Sequence, residues 1–115
     1  MGLEEITYPK SEIPTWGIAK VLANFDGDDG TIRGSENVTT VTRNEAGKYT
    51  IVVTKNFADT NYIVIGTCGD AAGQGTVTFW DDAPLAVGQF VIRTASAGGG
   101  AADYNNVHIA VFGNQ

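Results

Sequence analysis

The sequence predicts an all-β protein, an antiparallel β-sandwich of about 7–8 strands in a jelly-roll-like arrangement. The chain of 115 residues contains 15 glycines and many Val and Thr residues. All three residue types are poor helix formers, and Val and Thr fit well on a pleated sheet. Short stretches of alternating apolar and polar residues also recur at the roughly 8–12-residue spacing that is typical of sandwiches. With 43% hydrophobic residues, one domain of this length can close a core without a metal or a disulfide.

Alternation begins at residue 19 and defines the first predicted strand. Val21 and Phe25 lie on one face of that strand, and Leu22 and Asn24 lie on the other. The same pattern predicts further strands around residues 49–53, 77–79, 90–92 and 107–111. The strand count stays open between seven and eight, because residues 31–35 and the N-terminal arm could each add a strand.

The connections between these strands contain typical turn residues. Asp26–Gly30 predicts a turn rather than a calcium loop, since its glycines and acids do not fall at the positions of an EF-hand. Val38 and Val41 lie an odd number of residues apart, which predicts a bulge before Arg43. Residues 44–47 predict a hairpin loop in which Gly47 takes a positive φ. Asn37 is interpreted as a residue that caps or kinks the start of a strand, rather than as a glycosylation site.

The predicted strand at residues 62–67 is apolar on both faces. Tyr62, Val64 and Gly66 alternate with Ile63, Ile65 and Thr67. Such a strand lies either in the middle of a sheet or at a contact between subunits. A lone sandwich covers only one of the two faces, so we expect self-association.

Residues 1–15 form a predicted extended arm ahead of the sandwich, which spans residues 16–115. Pro9 and Pro14 fix φ and favour extended backbone before them. Too few apolar residues are present for the arm to fold alone. We therefore expect it to bind a neighbouring chain through its apolar anchors Leu3, Ile6, Tyr8 and Ile13.

The net charge of the chain excludes some partners. Thirteen acidic residues against seven basic ones give a net charge of −6, and an acidic surface repels phosphate, so we predict no binding to nucleic acid. No stretch approaches the roughly 18 apolar residues needed to cross a bilayer, so no membrane insertion is expected. The N-terminus also lacks the features of a signal peptide.

No pattern in the sequence predicts catalysis. His108 and Cys68 supply too few ligands for zinc. Asp81 and Asp82 are adjacent, so their side chains would point to opposite faces of a strand rather than form an acid–base pair. We therefore predict that the protein is not an enzyme and that it needs no metal or cofactor.

Two predicted loops carry aromatic residues beside polar ones. Trp80 precedes Asp81 and Asp82, and Tyr104 precedes Asn105 and Asn106. Flat rings next to carboxylates and amides suit stacking and hydrogen bonding to sugars. These six residues are candidate glycan-binding or receptor-binding positions. The alternative for Trp80 is that its ring caps the core.

Five segments carry, in order, a resemblance to a known family. They are Val21–Gly27, Ser35–Arg43, Gly47–Tyr49, Ala58–Gly66 and Val107–Gly113. Together they resemble the C-terminal knob, or receptor-binding head, of bacteriophage tail fibres. Residues 69–102 match little of that family's pattern.

The resemblance implies a β-sandwich that forms a homotrimer on the virion surface. Tail-fibre heads follow a long shaft, whereas this sequence has only a 15-residue arm before the sandwich. We therefore favour a capsid decoration or cement protein, anchored through its arm to the major capsid protein or another virion protein. The alternative is a receptor-binding head that recognises host-surface polysaccharide through loops at its tip.

Overall fold

The structure, a computed structural model, describes residues 15–79 and 85–115, with side chains from residue 16 to 78 and from 85 onward. Within these ranges the chain forms a short 3₁₀ turn, Thr15–Gly17, followed by eight strands. The strands are β1 (Ala19–Phe25), β2 (Ile32–Glu36), β3 (Val38–Glu45), β4 (Lys48–Val53), β5 (Ile63–Asp70), β6 (Gly73–Phe79), β7 (Gln89–Ser96) and β8 (Asn106–Phe112). The predicted all-β fold is confirmed, with the higher strand count.

All pairs of neighbouring strands are antiparallel, in the order β2-β1-β8-β5-β6-β7-β4-β3. The eight strands form one sheet that folds back on itself into two layers, β2-β1-β8-β5 and β6-β7-β4-β3. The layers are joined where β5 and β6 pair only through Cys68–Asp70 and Gly73–Gly75. At the other edge the chain passes directly from β2 to β3 through Asn37. The sandwich is therefore nearly closed, like a barrel.

Asn37 allows this change of layer. It takes a positive φ of 59°, a conformation that Asn tolerates better than most residues. Its side chain accepts a hydrogen bond from the Lys55 backbone N–H (2.6 Å) and donates one to the Lys55 carbonyl (3.2 Å). The predicted structural role of Asn37 is confirmed, and so is the bulge before Arg43, since the β3–β4 register shifts between Val38 and Thr40.

The two predicted turns also form as expected. Gly47 in the β3–β4 loop has a φ of 69°. In the turn after β1, Asp26 accepts a hydrogen bond from the backbone N–H of Asp28, and Asp29 accepts one from that of Thr31, each at 2.8 Å. These are the side-chain-to-backbone bonds by which Asp stabilises a turn.

The core lies between the two layers and is continuous from end to end. Its fully buried side chains come from four strands, β1, β4, β7 and β8, and include Val21, Phe25, Tyr49, Ile51, Phe90, Ile92, Val107 and Val111. Aromatic rings pack against one another within it: Phe57 stacks on Tyr62 at 4.3 Å between centroids, and Phe25 meets Tyr49 edge-on at 5.2 Å.

The two ends of the sandwich differ in what they contain. We call "entry end" the end at which residues 15–18 lead into β1, and "loop end" the opposite one. Since all pairs are antiparallel, the turn after β1, the β3–β4 hairpin, the β5–β6 turn and residues 97–105 all lie at the loop end. Strand β6 runs away from that end and stops at Phe79 near the entry end.

Candidate interaction surface

The outer face of β1, β8 and β5 carries large apolar side chains in contact with solvent. Leu22 is 44% exposed, Ile63 is 52% exposed and Ile65 is 54% exposed. The two other exposed large hydrophobic residues of the described ranges, Trp16 and Ile18, lie in the segment that leads into β1. We call the outward residues of these three strands the outer face.

Strand register arranges the outer face in rows that run across the three strands. Leu22 on β1 and Ile65 on β5 both pair with Ala110 on β8, so these three residues form one row. Towards the entry end, Ile63 pairs with Phe112 and forms a second apolar row. The two rows are adjacent, so the exposed apolar groups form one continuous patch.

Alternation in the sequence produces this patch. In β8 the buried residues Val107, Ile109 and Val111 alternate with the outward residues His108, Ala110 and Phe112. The strand must expose its second set of side chains because only the first set reaches the core. In strand β5 the half-buried Val64 lies between the exposed Ile63 and Ile65. The strand is therefore apolar on both sides, as predicted, and it lies between β8 and β6 in the strand order.

Gly66 explains how β5 packs closely on its inner side. A Cβ at this position would lie 2.7 Å from the His108 carbonyl oxygen and 3.1 Å from the Val77 side chain. Glycine therefore leaves room for the Val77 and Ile109 side chains on the inner side of β5. On the outer side, Ile63 and Ile65 remain about half exposed.

A polar row borders the patch towards the loop end. His108 pairs with Asn24 on one side and with Thr67 on the other. Between this row and the Leu22 row lies a shallow depression of about 390 Å³, lined on its apolar side by Leu22, Ile65 and Ala110. An apolar centre with a polar border is the usual anatomy of a protein interface.

The loop end shows the opposite arrangement, because its polar groups are satisfied within the chain. Asp103 accepts two hydrogen bonds from the Arg43 guanidinium, at 2.9 and 2.7 Å, on one carboxylate oxygen. On the other oxygen it accepts bonds from the Gly47 N–H and the Tyr49 hydroxyl, each at 2.8 Å. The Tyr49 hydroxyl also lies 2.6 Å from the Gly27 carbonyl. We call these residues the Asp103 cluster.

Burial and hydrogen bonding shift the pKa values of this cluster in ways that keep it in one protonation state. Burial alone would raise the pKa of Asp103, but the bonds from Arg43, Gly47 and Tyr49 outweigh it and hold that pKa below its ordinary value. Burial, together with the bond to Asp103, raises the pKa of Tyr49 well above its ordinary value. The carboxylate is thus ionised and the phenol neutral around neutral pH, as a structural cluster requires.

Tyr104 does not form the predicted exposed aromatic platform. Its side chain is only 7% exposed, and its ring lies where a Cβ on Gly75 would be, 2.5 Å from the ideal Cβ position. Its backbone carbonyl accepts a hydrogen bond from Gly27. Tyr104 therefore contacts both the turn after β1, through Gly27, and strand β6, through Gly75. Its ring face is not available to a sugar.

Asn105 and Asn106 are exposed at the loop end, and Asn106 accepts a hydrogen bond from Arg33 at 3.1 Å. The other predicted glycan-binding residues, Trp80, Asp81 and Asp82, lie outside the described residues, as do the arm residues Leu3, Ile6, Tyr8 and Ile13. The strand that precedes Trp80 ends near the entry end, away from Asn105.

His108 and Cys68 have ordinary surroundings. His108 is exposed in the polar row. Cys68 is half-buried, and burial raises the pKa of its thiol, which makes it a poorer nucleophile. In residues 15–79 and 85–115, no group of three or more His, Cys, Asp or Glu side chains is placed to hold a metal ion.

The sequence pattern missed the Asp103 cluster and part of the outer face. Arg43 and Asp103 are 60 residues apart, and no local pattern signals their pairing. Leu22 and Ala110 become neighbours only through the β1–β8 register. An available signal was the position of Leu22 on the opposite side of β1 from the buried Val21.

Comparison of the chain with models of protein families, with curated proteins and with solved structures gives no match. Across the two described ranges, no helix has the length and apolar character needed to cross a membrane. A function for this chain is therefore inferred from its own residues.

Proposed function

We propose that this protein is a structural protein of the bacteriophage virion surface, a homotrimeric knob that decorates the capsid and is anchored by residues 1–15. The observation that supports self-association is the outer face, where Leu22, Ile63 and Ile65 are each about half exposed. Isolated exposed leucines are ordinary, but a continuous apolar patch on a sheet favours a contact with another protein surface.

The positions in the fold of the segments that resemble the tail-fibre knob support the same proposal. Of the five segments that resemble the tail-fibre knob, three contain most of β1, most of β8 and the first half of β5, the strands of the outer face. A fourth, residues 35–43, spans the corner at Asn37 that holds the two layers together. The similar segments therefore coincide with the sheet that exposes the patch and with the corner that closes the sandwich.

A decoration protein needs a rigid body and an anchor, and no catalytic group. The nearly closed sandwich provides the rigid body. The anchor is assigned to the apolar arm residues on sequence grounds, because two prolines restrict the free arm and lower the entropy lost when it docks.

Deletion of residues 1–15 tests the anchor. We expect the truncated chain to remain a folded trimer but to lose binding to capsids from which the native copy has been removed. Binding is measured by co-sedimentation with such capsids. The matched control is the double change Asn105→Ala and Asn106→Ala at the exposed loop end, which leaves capsid binding unchanged.

The same variants also test the alternative function, a receptor-binding head. If the truncated chain still binds capsids, the arm is not the anchor. If the Asn105→Ala, Asn106→Ala variant or a Trp80→Ala variant abolishes adsorption of particles to host cells, the loops recognise a host polysaccharide. The first result would move the anchor from the arm to the sandwich, and the second would replace decoration by the tail-fibre function.

A further inference from the structure

We infer that the outer face is the surface through which copies of this chain contact one another. The two apolar rows, Leu22–Ala110–Ile65 and Ile63–Phe112, form the centre of that contact. This inference rests on the proposed self-association but not on a location in the virion. It names the strands that meet, β1, β8 and β5, which trimer formation alone does not specify.

Charge favours a second copy of the chain as the partner. Each copy has a net charge of −6, so two copies repel each other, and the repulsion is smallest when they meet through a surface that carries no charged side chains. The two apolar rows contain no Asp, Glu, Lys or Arg. A basic partner would instead be attracted to the acidic loop end, where Asp26, Asp28 and Asp29 lie in one turn.

The border of the patch is also complementary to itself. Lys20 precedes Leu22 on β1, and Glu36 lies opposite Leu22 on β2. A surface that carries both signs of charge next to an apolar centre can pair with another copy of the same surface. Such pairs at the rim contribute more to register than to affinity.

The area of the two apolar rows is smaller than that of a stable interface, so the contact must extend beyond them. Neighbouring strands lie about 4.8 Å apart and outward residues of one strand about 6.8 Å apart, so the two rows cover only about 200 Å² of sheet. A stable interface buries about 800 Å² on each partner. The contact must therefore include the polar row of Asn24, His108 and Thr67. It must also extend onto β2, where Glu36 and Gly34 pair with Leu22 and Asn24 on the same side of the sheet.

A charge placed in the centre of the patch tests the inference. Ile65→Asp puts a carboxylate where the second copy would pack, and its matched control is Thr42→Asp, an exposed outward position of β3 in the other layer. Both variants add one negative charge to a strand, so effects on net charge and strand propensity cancel. Mass is measured by light scattering after size exclusion over about 1–500 µM, the range in which weak and moderate affinities differ.

We expect the wild type and Thr42→Asp to have three times the monomer mass of 12.1 kDa, and Ile65→Asp to require at least a roughly tenfold higher concentration to assemble. The milder double variant Leu22→Thr, Ile65→Thr should weaken assembly in the same direction, and it retains strand-forming residues if the charged variant fails to fold.

The possible failures are distinguishable. If Ile65→Asp and the double Thr variant both fold and remain trimers with unchanged affinity, the outer face is not the contact, although the proposed trimer stands. If the wild type is a monomer at every concentration, both the trimer and the contact are overturned. In that case residues 1–14 or a different protein is the partner of the patch.

Discussion

The outer face and the Asp103 cluster are two parts of one sandwich that satisfy their side chains in opposite ways. At the loop end, Asp103 has four hydrogen-bond donors from Arg43, Gly47 and Tyr49. On the outer face, Ile63 and Ile65 keep half of their surface in water. The loop end is thus complete within a single chain, whereas the outer face gains stability only when another surface covers it. Changes at the loop end should therefore act on folding, and changes on the outer face should act on association.

The largest expected effect on folding is at Asp103. Asp103→Ala leaves the part-buried Tyr49 hydroxyl and Gly47 N–H without this acceptor, so the free energy of unfolding should fall by about 1–3 kcal/mol at pH 7. The Arg43 pair, which is partly exposed, adds little to this loss. The change in the free energy of unfolding is measured by urea denaturation followed by fluorescence. A loss below about 0.5 kcal/mol would contradict a structural role for the cluster.

The pH dependence of stability sharpens this prediction. The pKa of Asp103 is lower in the folded chain than its ordinary value, so its contribution is fully present above about pH 3.9, the unfolded value, and is lost as the pH falls through the folded pKa. The difference in unfolding free energy between the wild type and Asp103→Asn should be constant from about pH 5 to 8. It should shrink towards pH 2. A difference that grows with acidity would show that the carboxylate is not the stabilising form.

Tyr49→Phe should have a smaller effect. The ring keeps its contact with Phe25, and only the hydroxyl is lost, whose single hydrogen is shared between two acceptors, the Asp103 carboxylate and the Gly27 carbonyl. We expect a loss of about 1–2 kcal/mol. Thermal unfolding followed by circular dichroism provides the measurement. If Tyr49→Phe costs as much as Asp103→Ala, the cluster is held together by the phenol rather than by the carboxylate.

The smallest effects are expected at His108 and Cys68. His108→Ala and Cys68→Ala should each change the free energy of unfolding by less than about 1 kcal/mol and leave capsid binding intact. Cys68 is half-buried, and His108 is exposed and lies at the polar border of the proposed contact, where truncation costs little. Loss of capsid binding with the fold preserved, shown by co-sedimentation and circular dichroism, would reveal a functional site at these residues.

The sequence predicted the features that depend on near neighbours in the chain. Alternation is local, so it identified β1, β4 and β8 and the two apolar sides of β5. Turn chemistry is local as well, and Gly47 and Asn37 take the conformations expected of them. These features are set by backbone geometry and by the period of the strand.

Features that join distant parts of the chain could not be predicted in this way. Tyr104 was expected to be exposed because it lies in a loop, but it is buried against Gly75 of the β5–β6 hairpin. Asp103 gained a role only because the fold brings it to Arg43 and Tyr49. The apolar patch likewise depends on the register that aligns Leu22, Ala110 and Ile65.

The most direct test of self-association through the outer face is the solvent accessibility of Ala110, the residue between Leu22 and Ile65. In a Cys68→Ser background, Ala110→Cys places a thiol in the centre of the patch, and Thr42→Cys places one on the opposite layer as a control. Alkylation rates are compared in dilute and concentrated protein. We predict that the Ala110→Cys thiol reacts at least roughly tenfold more slowly in concentrated protein, as burial in a complex requires, while the Thr42→Cys rate is unchanged. An Ala110→Cys rate that does not depend on concentration, in protein shown to be assembled, would contradict the inference.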